Sequence, residues 1–191
     1  MKIAILGWGS LLWDKCTEFD EQHDEWHSDG PKLKIEFSRV SSTRKGALTL
    51  VLDTKNGKEC QVAYTRSKRK NPDDAICDLR SREGTTLKNI GFYFADNSRK
   101  QARYDEVLRV IERWASTKKL DVVIWTDLES NFQEKSKSKQ PFSIEAAISH
   151  IQALDNEGKA NASEYVCRAP AFVVTPLHEA LQSQPWFQKH G

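Results

Sequence analysis

The chain has 191 residues, 38% of them hydrophobic and 29% charged, a balance that supports a packed core and excludes intrinsic disorder. Its 29 Lys and Arg are offset by 27 Asp and Glu, leaving a formal net charge of +2, so no global field draws it to a nucleic acid or an acidic membrane. No apolar run approaches the ~18 residues of a membrane span, and Met1-Lys2 leads straight into a strand-like segment, so the expectation is one cytoplasmic domain spanning residues 1–191.

Lys2-Ile3-Ala4-Ile5-Leu6 predicts a buried first strand that stops at Gly7-Trp8-Gly9-Ser10. Residues 14–30 form a polar, acidic excursion around His23 and His27, closed by the Asp29-Gly30-Pro31 turn. Residues 33–40 and 47–52 predict a hairpin about Arg44-Lys45-Gly46, and Asn56-Gly57 leads into a further strand at 60–64. Pro72 with Asp73 and Asp74 starts a helix, and Gly84 stops it, leaving Glu83 at its C-terminal end.

A longer helix is predicted over 98–116, with Tyr104, Val107, Leu108, Ile111 and Trp114 as its apolar stripe. Residues 121–125 read as another buried strand, 136–139 as a surface loop, and Ser143 as the start of a further helix. Helical residues near 160–165, a strand at 172–174 and a short helix over 176–182 complete the series. Cys16, Cys60, Cys77 and Cys167 are widely spread without a Cys-x-x-Cys pair, which predicts buried free thiols and argues against a zinc knuckle or dithiol centre.

Two segments carry candidate chemistry. In Gly7-Trp8-Gly9-Ser10-Leu11 the glycines let the backbone turn sharply and aim successive N–H groups at one point, as an oxyanion or carboxylate requires. Composition by itself favours a plainer strand-end turn that packs tryptophans, and Leu12 excludes a Gly-x-Gly-x-x-Gly dinucleotide fingerprint. In Arg80-Ser81-Arg82-Glu83-Gly84 a glutamate stands between arginines and glycine, which by itself reads as a solvated helix end.

Taken together, Trp8-Gly9-Ser10-Leu11 and Leu79-Arg80-Ser81-Arg82-Glu83-Gly84 resemble the γ-glutamylcyclotransferase-like superfamily. That superfamily carries a Tyr-Gly-Ser-Leu or Tyr-Gly-Ser-Asn turn after its first strand and a Glu-Gly pair some seventy residues later. The resemblance implies an α+β fold whose small mixed, largely antiparallel sheet curls into a partial barrel with flanking helices. It also implies a pocket between the turn and the glutamate. Carried over by position, Glu83 is the catalytic acid/base, and Trp8, Gly9, Ser10 and Leu11 bind substrate and cradle the oxyanion. The implied reaction is attack of a substrate α-amine on its γ-glutamyl carbonyl, releasing 5-oxoproline, and it needs neither metal nor cofactor. The role requires Glu83 to be partly sheltered and Arg80 and Arg82 to point away, since a nearby cation holds a carboxylate ionised.

The chain departs from the family pattern at Trp8, where the usual tyrosine hydroxyl is absent. A non-catalytic module that keeps the pocket for an anionic metabolite or nucleotide is the alternative, because stacking and cations suit such a ligand. A small-molecule partner is expected on either reading, with a monomer or homodimer as the assembly.

The remaining motifs have plainer readings. Trp125-Thr126-Asp127-Leu128 and Asn131-Phe132 read as an Asx-type strand end that could line a pocket mouth. Arg39 and Arg44 at the hairpin read as solvated, with carboxylate binding as the sharper option. His23 and His27 stand at i and i+4 but without a further ligand read as part of an exposed segment rather than a zinc site. The basic run Arg66-Ser67-Lys68-Arg69-Lys70 lacks the interleaved aromatics of a single-strand binder and reads as a solvated loop.

Overall fold

The structure, a computed structural model, describes residues 1–187. The first half of the chain runs β1 (Ile3–Gly7), a 3-10 turn (Gly9–Leu12), α1 (Thr17–Asp20), β2 (Lys32–Val40), β3 (Leu48–Leu52), β4 (Lys58–Gln61) and β5 (Ala63–Arg66). Next come α2 (Pro72–Arg82), β6 (Ile90–Phe94), β7 (Lys100–Gln101), α3 (Asp105–Lys118) and β8 (Val122–Thr126). The chain continues through α4 (Phe132–Lys135), α5 (Ile144–Gln152), α6 (Asn156–Cys167) and α7 (Pro176–Gln182). The fold class is α+β, and neither sheet closes into a barrel among the described residues.

The chain divides into two compact units, one of Met1–Leu33 with Gln61–Leu128, the other of Lys34–Cys60 with the chain from Glu129 onward. The first holds a sheet in the order β5-β1-β8-β6-β7. β1 lies parallel to β8 and antiparallel to β5, while β6 is antiparallel to both β8 and β7. Every residue of β1 is buried, as an unbroken apolar run in a central strand demands. Ile3 and Ile5 of β1, Val122 and Ile124 of β8, and Ile90 and Phe94 of β6 share one core with Ala75, Ile76 and Leu79 of α2. The period-2 side chains of the strands meet the 3-4 spacing of the helix there, which seats α2 on the sheet.

The second unit carries the sheet β3-β2-β4 with α4 to α7. β2 and β3 form the expected hairpin, and Lys45 and Gly46 take positive φ in the turn between them. His150 of α5 is buried with both ring nitrogens engaged: Nδ1 accepts from Lys137 N–H at 3.1 Å and Nε2 donates to Gly46 O at 2.8 Å. Burial holds its pKa below the ordinary histidine value. At the other end of the sheet, Glu36 of β2 is fully buried against α7. Its carboxylate accepts from Thr175 Oγ1 at 2.5 Å, Phe37 N–H at 2.8 Å and Leu177 N–H at 3.3 Å.

Burial pushes Glu36 up to about 6 against an ordinary 4.5, with the three hydrogen bonds opposing the shift and Asp53 adding to it. The folded state therefore holds this proton at a pH where the unfolded chain releases it. Stability from Glu36 is complete below about pH 4.5 and is lost as pH rises through 6, a swing of roughly 2 kcal/mol. His150 has the opposite slope: its stabilisation is present above the ordinary histidine pKa and lost as pH falls. The expected result is that urea unfolding of wild type, relative to Glu36→Gln, gains about 2 kcal/mol between pH 7.5 and 4.5. A pH-independent difference would mean that the buried carboxyl is not the titrating group.

Several sequence expectations change in the structure. The strand expected at 60–64 is two strands in different sheets, β4 and β5, with Val62 between them. Val62 N–H donates to Pro31 O at 3.1 Å and Val62 O accepts from Gly30 N–H at 3.0 Å, so this residue's backbone partners lie outside both ladders. The helix expected over 98–116 begins only at Asp105, because Lys100 and Gln101 return along β6 and Tyr104 is extended. Residues 172–174 form no strand: Val173 N–H closes a turn on Pro170 O at 2.8 Å, and Thr175 caps α7. Ser136, expected in a surface loop, is 1% exposed. No disulfide joins any of the four cysteines, and only Cys60 is buried; Cys77 is exposed.

Candidate functional site

The turn after β1 is a 3-10 helix, Gly9–Leu12, entered from an extended Trp8 and through Gly9 at φ +68°. Only glycine adopts that backbone cheaply, which is why Gly9 can reverse the chain directly behind a buried strand. Trp8 and Leu11 are buried, and Leu11 joins the core that α2 shares with the sheet. Ser10 is half-buried. In a 3-10 helix the i→i+3 pattern engages the Leu11 N–H with the cap carbonyl of Trp8, so it is the Gly9 and Ser10 N–H groups that precede the first bond of the turn. Gly9→Ala is expected to lower unfolding free energy by about 1–2 kcal/mol, read from urea denaturation, since alanine meets the left-handed penalty. An unchanged midpoint would mean that the turn relaxes to another backbone conformation.

Glu83 is positioned by the end of α2. The helix starts as its sequence predicts, with the Asn71 side chain accepting from Asp73 N–H at 3.1 Å and Pro72 in the first turn. It ends in a Schellman motif: Thr85 N–H reaches Arg80 O at 3.2 Å, Gly84 N–H reaches Ser81 O at 3.1 Å, and Gly84 takes φ +56°. Glu83 is the cap residue of that motif, half-buried, with its own N–H on Leu79 O at 3.0 Å. Its backbone is thus held by the helix on one side and by the glycine turn on the other.

The link between the two segments is Arg82. Its guanidinium NH2 donates to Ser10 O at 3.2 Å and to Asp14 O at 3.0 Å, across 72 and 68 residues of chain. Ser10 O also accepts from Trp13 N–H at 3.2 Å and Asp14 N–H at 2.9 Å. A planar trans peptide points its C=O and its N–H in opposite directions, so anchoring Ser10 O fixes where Leu11 N–H points. Arg80, the other flanking cation, donates to Ser81 Oγ at 3.4 Å. Both arginines therefore have partners of their own beside Glu83. A sequence reading treats an arginine in the last turn as a complement to the helix dipole, and nothing local signals that this one ties down the first turn.

The other singled-out residues sit elsewhere. Asp127, in the same unit, is buried; its carboxylate accepts from Arg103 N–H at 2.6 Å and Trp125 Nε1–H at 3.3 Å, closing the ends of β6 and β8. In the second unit Arg39 donates to Glu129 O at 2.8 Å, Arg44 lies 4.9 Å over the Tyr165 ring, and Asn131 exchanges hydrogen bonds with the Val40 backbone. His23 and His27 lie on an extended segment bridged to Ser67 and Tyr64, so the i, i+4 spacing does not bring them onto one helix face. His23 is 8% exposed, contrary to the exposed segment expected there, whereas His27 is exposed. Among the described residues no three potential ligands gather as a metal site would need, and no helix is long and apolar enough to cross a membrane. Of the basic run, Arg66 belongs to β5 and Arg69 pairs with Asp78 at 2.7 Å.

No protein-family model matches this chain, and no curated protein or solved structure is detectably similar to it.

Proposed function

We propose that the chain is a γ-glutamylcyclotransferase-like enzyme, acting on a γ-glutamyl amine, amino acid or related small amide. The observation that carries this reading is the Arg82 hydrogen bond to Ser10 O, which ties the residue next to Glu83 to the turn after β1. That bond joins the two motifs, which supports the reading that the acid of one and the amides of the other serve a single site. On this reading the sheet is that family's partial barrel.

The chemistry follows from the groups. Glu83 takes a proton from the substrate α-ammonium, and the freed amine attacks the γ-carbonyl, forming the ring C–N bond. The oxyanion that develops is met by N–H groups at the start of the turn, those of Gly9 and Ser10, held in place before the reaction. Collapse breaks the original amide bond: Glu83 gives its proton to the leaving nitrogen, then takes the surplus proton of the ring nitrogen and passes it to the released amine, which departs as an ammonium and leaves the carboxylate as it began. Proximity favours the step, because nucleophile and electrophile belong to one molecule.

The pairing of Arg82 with two carbonyls also bears on the alternative, a non-catalytic module for an anionic ligand. That reading needs the cations beside Glu83 for the anion and an accessible Trp8 for stacking, yet Arg82 already donates to protein carbonyls and Trp8 is 8% exposed. The test is incubation of the purified chain with a panel of γ-glutamyl amines and amino acids, followed by chromatographic detection of 5-oxoproline. Release from at least one member is expected. No release across the panel would remove the enzymatic reading.

A further inference from the structure

The buried ring of His150, in the second unit, stands between two backbone groups whose roles are fixed. Gly46 O, 2.8 Å from Nε2, can only accept, and Lys137 N–H, 3.1 Å from Nδ1, can only donate. Nε2 therefore carries the proton and Nδ1 is bare. A second proton can enter only at Nδ1, where it points at the Lys137 N–H. The imidazolium thus loses the Lys137 bond and sets two donors against each other, while its bond to Gly46 O becomes charge-assisted and stronger. One protonation acts on the two partners in opposite senses.

The segment on the losing side is lightly held. Among the described residues, the Lys137 bond is the one hydrogen bond that ties residues 136–142 to the body of α5. The segment's other polar contacts are local, Gln140 N–H to Ser138 Oγ at 3.3 Å and Lys139 Nζ to Glu134 O. Ser136 is buried with its hydroxyl unpartnered, and Lys139 takes φ +56°, the left-handed region that a side chain disfavours. Release of the segment relieves both costs. Apolar contact opposes release, with the Phe132 ring edge-on to Phe142 at 5.3 Å and to His150 at 5.8 Å.

Charge on the elements around the ring works against the imidazolium. Lys135 of α4, Lys137, Lys139, and Arg44 and Lys45 of the β2–β3 turn outnumber Glu134 of α4 and Glu145 of α5. On α6, Asp155 accepts from Gly158 N–H at 2.7 Å and Glu157 pairs with Lys45 at 3.6 Å. On α7, His178 engages Val173 O at 2.9 Å and Glu179 pairs with Lys58 at 3.4 Å. Burial, and behind it Lys137, holds the ring's pKa below the ordinary histidine value against the opposing pull of Gly46 O. The Lys137 bond is therefore complete above the ordinary value and is lost as pH falls through the lowered one.

We propose that His150 is an acid-operated latch: protonation at Nδ1 breaks the Lys137 hydrogen bond and frees residues 136–142 from α5, while the bond to Gly46 O keeps the ring on the β2–β3 turn. The device lies within the second unit and is independent of the Glu83 reading.

The experiment measures amide hydrogen exchange of the full chain from pH 7.5 to 4, each rate divided by its unstructured value at that pH. The His150 ring is followed alongside by long-range ¹H–¹⁵N correlation. Protection of the Lys137 amide is expected to fall about three-fold or more as the ring takes up its proton, with the Ile151 amide inside α5 unchanged. His150→Asn, whose side-chain oxygen can stand where Nδ1 does but does not titrate, is expected to keep Lys137 protection level across the range. Constant Lys137 protection in the wild type while the ring titrates would overturn the proposal, as would a ring that stays neutral to the end of the range. A parallel fall at Ile151 would overturn it too, because acid would then open the helix as a whole. These readings come from the wild type and need no variant. A fall of wild-type size in folded His150→Asn would give the titration to another group.

Discussion

Glu83→Gln is expected to reduce 5-oxoproline release by about 10²–10⁴-fold, the usual contribution of a positioned acid/base. The amide keeps the shape of the carboxylate but cannot accept the ammonium proton, so the loss should fall on kcat with KM little changed. Far-UV circular dichroism and the unfolding midpoint should stay at wild-type values. The Schellman motif that fixes Glu83 is built from the backbone of Arg80, Ser81, Gly84 and Thr85, and the substitution leaves it intact. A variant that turns over at the wild-type rate would assign the proton transfer to another group.

The largest expected loss of stability is at Gly91. This residue pairs with Trp125 across β6 and β8, and a methyl group on its Cα would overlap the indole ring of Trp125 well inside van der Waals contact. Trp125 is fully buried, and its Nε1–H donates to the buried Asp127, which in turn accepts from the Arg103 backbone. The ring therefore cannot move aside without breaking a buried polar network. Gly91→Ala is expected to lower unfolding free energy of the first unit by about 3 kcal/mol, at the upper end of overpacking costs. A double-mutant cycle identifies the cause: in a Trp125→Val background the same glycine substitution should cost much less. Equal costs in the two backgrounds would locate the effect in the strand backbone instead.

The elements legible in the sequence are those whose signals are local. The course of α2 follows from Asn71 and Pro72 at one end and Gly84 at the other, because caps and left-handed turns are decided by residues within a few positions. β1, β8 and the β2–β3 hairpin follow from unbroken apolar runs and a turn that accepts positive φ. The start of α3 was less legible, since residues 98–104 are drawn into pairing beside β6 and turn there instead of continuing the helix. The candidate site was legible as two motifs but not as one place.

The sequence by itself determined the elements with local signals, β1, β8, the β2–β3 hairpin and α2, and which turn and which glutamate are candidates for chemistry. Tertiary structure alone decided that the Arg82 guanidinium clamps Ser10, that the apparently continuous strand through Val62 divides between two sheets, and that His23, Glu36 and Asp127 are buried. The reason is physical. Hydrogen bonds of caps and turns span a few residues and are written in local side chains, whereas hydrophobic burial has no direction and a polar group's partner depends on which distant segment closes over it.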